Sequence, residues 1–142
     1  MNTTTIYHDA LKTGTQTLGT AYNVTDVLVF DMNAALAYQP SKANFHGFVE
    51  GIHIRLTTMA GGPTKLSMKL CLDADGDYTV VPSTEATIDP GITTATTGCV
   101  AFSVRLPIFQ ILSAPGNGNL YLFAKLDAGT AVFSQACITW SE

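Results

Sequence analysis

Hydrophobic and polar positions alternate with a period of two along most of this chain, the spacing that lines every second side chain along one face of a β-strand. In GIHIRLTT, Ile52, Ile54 and Leu56 share one face, while Gly51, His53 and Arg55 share the other. TKLSMKLCL sets Leu66, Met68, Leu70 and Leu72 against Ser67, Lys69 and Cys71. The inward rows continue with Val100, Phe102, Val104 and Leu106 in CVAFSVRL, then with Leu120, Leu122, Ala124 and Leu126 in NLYLFAKL. The last segment, AVFSQACITW, predicts Val132, Ser134, Ala136, Ile138 and Trp140 inward. Further strands are predicted at VTDVLVF, YTVV and TEATI, with a weaker one near TTIYHDAL.

Turn chemistry separates these runs. DADGD divides two of them, PGNGN precedes another, and Asp127 to Thr130 (DAGT) joins the last two. Asx-Gly and Gly-Asx pairs supply the positive φ that tight hairpins need. Eight or nine short strands joined in this way predict an all-β fold, an antiparallel β-sandwich of jelly-roll type or a small barrel. DMNAALAYQP alone breaks the pattern. Its helix formers Ala34 to Ala37, caps at Asp31 and Asn33 and stop at Pro40 predict a helical turn inside a crossover loop. PSTEATIDPGITTATTG is a long polar connection whose core candidates are Ile88 and Ile92. No repeat or boundary divides the chain, so a single domain over residues 1–142 is expected, with an extended N-terminal arm at 1–20.

Composition narrows the function. Charged residues are 13% of the chain, about half of the ~25% usual in soluble domains. Such a surface is apolar or is buried against partners. The net charge is −4, and the basic residues (Lys12, Lys42, Arg55, Lys65, Lys69, Arg105, Lys125) stand singly. No basic stripe exists to neutralise phosphates, which argues against a nucleic-acid partner. Mean hydropathy is +0.24, yet the apolar runs are strand-sized, short of the ~18 residues that cross a membrane as a helix. MNTTTIYHDA has no secretory character. Cys71, Cys99 and Cys137 have neither disulfide-framework nor zinc spacing. They read as free thiols made in a reducing compartment.

LCLDADGDYTVV is where the chain comes nearest to chemistry. Asp73, Asp75 and Asp77 match the first acids of a calcium loop, but the glycine position holds Tyr78 and the closing acid position holds Thr84. An exposed tip offers no pocket to raise a carboxyl pKa for acid–base work. A hairpin turn on Asp75-Gly76 accounts for all three acids, with a structural cation as the alternative. His8, His46 and His53 lack ligand spacing, and nucleophile, phosphate-loop and zinc-protease motifs are absent. No enzyme, cofactor or metal function is expected.

The outer faces carry the sharper anomaly. If alternation holds, Tyr121, Phe123 and Phe133, with Cys137, lie on faces that should be polar. Either a loop or the helix-like segment covers them, or these aromatics form a subunit interface. The threonines in NTTT, TGTQT and TTATT add a neutral, hydrogen-bonding surface suited to stacking.

In this character, a Thr/Ala/Gly-rich β domain with few charges and a NLYLFAKLDAGTA hairpin near its end, the chain resembles the small decoration (cement) and auxiliary head proteins of tailed bacteriophages. The resemblance implies a virion protein without chemistry, a dimer or trimer bound to a shell of major capsid protein. The rival from another class is a carbohydrate- or receptor-binding sandwich of a fibre or spike, with Tyr78, Tyr121 or Trp140 stacking on sugar rings.

Overall fold

A computed structural model of the chain describes residues 4–7, 16–22, 28–31, 47–92, 98–112 and 118–141. These form β1 (Thr4–Tyr7), β2 (Gln16–Leu18), β3 (Leu28–Asp31), β4 (Phe48–Ala60), β5 (Lys65–Cys71), β6 (Thr79–Thr87), β7 (Gly98–Pro107), a short helix α1 (Ile108–Leu112), β8 (Asn119–Leu126) and β9 (Thr130–Ser141). One sheet has the order β1-β9-β4-β7, with β2 also on β9; the other has the order β3-β8-β5-β6.

Every pairing is antiparallel, and β2 with β9, β3 with β8, β4 with β7, and β5 with β6 are partners. The chain is thus a long hairpin ribbon, its tip at the β5–β6 turn, rolled up so that β4 meets β9 and β5 meets β8. That is the jelly-roll antiparallel β-sandwich. Rolling is what buries the alternating rows. Ile52, Ile54 and Leu56 of β4 meet Leu66, Met68 and Leu70 of β5, all fully buried in one core. Phe102 and Leu106 of β7 and Leu120, Leu122 and Leu126 of β8 join them. Each such side chain contributes roughly 1.5–3 kcal/mol by leaving water.

β2 is a strand paired on β9 within the stretch expected to be an extended arm, and three further elements depart from the pattern expected of the sequence. YTVV and TEATI are one strand, β6, running through Pro82. Proline is tolerated there because β6 is an edge strand among the described residues and its ladder with β5 slips between Met68 and Leu70. Ile88 and Ile92, beyond it, are buried as expected. Helix α1 was not expected, since five residues are too few to show a helical period; it buries Ile108 and Ile111 and leaves Phe109 exposed. The helical turn expected in DMNAALAYQP falls, after Asp31, outside the described residues.

The third departure is in β9. Arg55 pairs with Gln135 but Leu56 pairs with Phe133, so Ser134 is an extra residue in the ladder. A bulge of this kind inverts the alternation on one side of it. Ala136 and Ile138 point inward as expected, but upstream the inward residues are Ala131 and Phe133 rather than Val132. The outward placement of Phe133 is therefore corrected: it is 1% exposed, inside the core.

Candidate interaction surfaces

The DADGD segment, the tip of the ribbon, is a turn organised by one side chain. Asp73 accepts hydrogen bonds from the backbone N–H of Asp77 (3.3 Å) and of Tyr78 (3.0 Å). The Leu72 N–H closes the turn on the Tyr78 carbonyl at 2.9 Å. Gly76 takes φ +79°, which favours glycine, and a Cβ there would lie a tight 3.1 Å from the Phe123 ring. One carboxylate oxygen from each of Asp73, Asp75 and Asp77 falls within 4.8 Å of the others. Tyr78, beside them, is 49% exposed.

The outer face of the β8-β5-β6 sheet is covered by the chain's own N-terminal segment. Tyr22 follows β2 onto this face, where its hydroxyl hydrogen-bonds the Ser83 hydroxyl on β6. The Lys69 ammonium lies 5.0 Å and the Lys125 ammonium 4.7 Å from the Tyr22 ring centre. Lys69 also stands 5.2 Å from the Phe123 ring, so its charge is shared between two aromatic faces. Beneath them Phe123 (1% exposed) and Cys71 (0% exposed) form a second apolar cluster, flanked by Tyr22 and Tyr121. Burial pushes the Cys71 thiol pKa upward, against a smaller opposing effect of its contact with Thr79. Of the three aromatics singled out in the sequence, Phe123 is on the outer face but covered, Phe133 is in the core, and Tyr121 is half-buried. Tyr22 was missed, because nothing local signals that a residue outside any strand run crosses to the opposite sheet.

The outer face of the other sheet is uncovered among the described residues, and its β7 row is small. Cys99, Ala101 and Ser103 of β7 are exposed, and their neighbours across β4 are Arg55, His53 and Gly51. Cys137 and Thr139 of β9 continue the same rows. Cys137 also titrates above the ordinary thiol range, chiefly through burial and then through Cys99. All three cysteines are free thiols.

The two sheets are joined at one end, where the β4–β5 and β8–β9 connections run side by side. The Asp127 carboxylate accepts from the Thr64 N–H (2.9 Å), the Thr64 hydroxyl (2.6 Å) and the Lys65 N–H (3.0 Å). These bonds to the charged form lower its pKa to about 2. Gly61 and Gly129 touch there, and a Cβ on Gly129 would sit 2.1 Å from the Ala60 carbonyl oxygen. Beside this joint a shallow groove of about 440 Å³ is lined mainly by Met59, Pro63, Ile88, Pro90 and Ile92.

No family model matches the chain, and no curated protein matches it by sequence. Among solved structures the chain is similar to one from infectious bursal virus derived T=1 particles, with 14% identity and a TM-score of 0.47 over 99% of this chain. It spans 31% of the length of that chain. It is also similar to a chain of the Kashmir bee virus empty particle at acidic pH, with 11% identity and a TM-score of 0.29 over 100% of this chain and 87% of that one. A third is the Israel acute paralysis virus pentamer, with 13% identity and a TM-score of 0.31 over 100% of this chain and 86% of that one.

Proposed function

We propose that this protein is a non-catalytic structural component of a virus particle, one that binds an assembled shell of major capsid protein and stabilises it, as decoration proteins do. The observation that carries the proposal is the open outer face of the β7-β4-β9 sheet. Its exposed side chains on β7 between Gly98 and Leu106, apart from Arg105, are small and neutral. A partner can dock along the small β7 row, with Arg105 and the neighbouring Arg55 as the charged side chains to desolvate. Each contact can be weak, because many copies bridging neighbouring shell subunits act at high effective concentration. Tyr121, half-buried on the opposite face, is the member of the aromatic trio left to meet a neighbour.

The test is the particle itself. Purified virions should contain the protein in stoichiometric rather than trace copy number. Shells stripped of it should rebind it and regain resistance to heat. Absence from purified particles, or failure to rebind, would overturn the proposal.

A second reading is favoured by Tyr78, 49% exposed beside the three carboxylates of the ribbon tip. An exposed ring beside clustered acids suits a sugar ring held with a cation, which would make the tip a receptor contact. A glycan array in calcium that returns no ligand, together with a melting temperature indifferent to chelator, would dispose of it.

A further inference from the structure

The chain contains two Asx-Gly pairs, Asp75-Gly76 and Asn117-Gly118, and their glycines stand in different surroundings. Gly118 is buried, and its N–H is held by the Ile111 carbonyl at 2.9 Å. Gly76 is half-buried at the ribbon tip, and its N–H has a long contact of 3.4 Å with the Asp73 carbonyl. Glycine has no side chain to shield that nitrogen from the residue before it. Asp75 is exposed, and its carboxylate accepts neither of the side-chain hydrogen bonds that organise the turn.

Four other aspartates are tied down. The Asp73 carboxylate accepts from the N–H groups of Asp77 and Tyr78, which also occupies the nitrogen that follows Asp77. The Asp127 carboxylate accepts three hydrogen bonds. Asp89 accepts from the Gly91 N–H at 2.8 Å, and the residue after it is Pro90, whose nitrogen has no hydrogen to lose.

We propose that Asp75-Gly76 is a modification site, where the main chain isomerises through a succinimide and reopens as isoaspartate. The Gly76 nitrogen attacks the carbon of the protonated Asp75 side-chain carboxyl. The N–Cγ bond forms, the Cγ–OH bond breaks, and the hydroxyl leaves as water with the amide proton. The five-membered ring then takes up one water. Opening at Cγ restores aspartate, whereas opening at the main-chain carbonyl leaves the chain running through Cγ. No oxidant or cofactor is consumed, and neither mass nor charge changes in the final product. Isoaspartate adds one methylene to the main chain between Asp73 and Gly76. The bonds of Asp73 to Asp77 and Tyr78, the Lys69 contact with the Gly76 carbonyl and the seat of Gly76 under Phe123 all span that link. They cannot all survive the longer path. The site needs neither a particle nor a sugar, so it stands or falls separately from both functional readings.

The experiment ages the full-length protein, warm and at mildly acid pH, and then digests it. An isoaspartyl methyltransferase with labelled S-adenosylmethionine marks isoaspartate, and mass spectrometry places the mark. Asp75 should carry about tenfold more label than any other aspartate, the advantage that a following glycine gives ring closure. Asp75→Glu should abolish the label at the tip, because the larger ring closes far more slowly, and Asp77→Glu should keep it. Ageing in guanidinium should add label at Asn117, whose following N–H is then released from Ile111. No label at Asp75, equal label at Asp73, Asp77 and Asp127, or a folded map identical to the unfolded one would overturn the proposal. Should either variant fail to fold, the two wild-type maps decide by themselves.

Discussion

The two outer faces of this sandwich have opposite constructions, although both belong to sheets whose inner rows pack into one core. On the β8-β5-β6 side the outward positions include Phe123, Tyr121, Lys69 and Lys125, and Tyr22 is laid over them. On the β7-β4-β9 side they are the small Cys99, Ala101, Ser103, Cys137 and Thr139 together with His53 and Arg55, with no such cover among the described residues. The first face has become a second, smaller core, over which Tyr22 is bonded to Ser83 and Lys69 to the Gly76 carbonyl. The second is a row of mostly small side chains on β7 and β9 with Arg55 and His53 between them. Outward position in a strand is therefore not the same as availability to a partner.

The largest effect that would break the comparison is Phe123→Ala. Phe123 is on an outer face yet 1% exposed, so its truncation should cost about 3–5 kcal/mol, as for a core phenylalanine. Ser103→Ala on the open face should stay within about 0.5 kcal/mol. Urea unfolding measures both, and a mild Phe123→Ala would mean that the cover is not packed. Next in size is Tyr22→Ala, which removes the Ser83 hydrogen bond and two cation–ring contacts. A loss of roughly 2 kcal/mol is expected, with Tyr22→Phe retaining more than half of the stability at stake. Gly76→Ala should cost about 1–2 kcal/mol, because alanine would take φ +79° beneath the Phe123 ring. In a Phe123→Leu background that cost should shrink towards the backbone part alone.

Acid tests the joint between the two faces. Asp127 has a folded pKa of about 2 against an ordinary 3.8. A lowered carboxylate pKa stabilises the fold fully above the ordinary value and loses that contribution as pH falls towards about 2. Asp127→Asn should flatten this part of the stability–pH curve, and an unchanged slope between pH 4 and pH 2 would show that the contact is not maintained in solution. The smallest effect is one of order rather than energy. Alkylation should modify exposed Cys99 first and half-buried Cys137 second, while Cys71, under the covered face, should react only on unfolding. Mass spectrometry over time reads this directly, and early modification of Cys71 would mean that the Tyr22 cover opens readily.

Much of the sandwich was legible before any coordinates. The rows Ile52–Ile54–Leu56, Leu66–Met68–Leu70 and Leu120–Leu122–Leu126 stood in the alternation and are buried. The same pattern misplaced Phe133, because a bulge has no sequence signature in SQAC and one extra residue inverts every position on one side of it. The turn at DADGD was legible from Asp75-Gly76. That Asp73 organises it, and that Gly76 lies under Phe123, was not. The aromatic outer row was visible as an anomaly, but the choice between a cover and an interface depended on Tyr22, whose partner Ser83 is 61 positions away.

The order of the strands and the inward row of each regular one followed from the chain alone, because the period-two pleat is a property of consecutive backbone units and needs no distant partner. The all-β class, sandwich or small barrel, followed from the number and spacing of turns. Pairing between distant strands, the rolling of the ribbon and the fate of its two outer faces were decided only in three dimensions. Those outcomes rest on contacts between residues far apart in sequence, such as Thr64 with Asp127 and Tyr22 with Ser83, and no local preference encodes them.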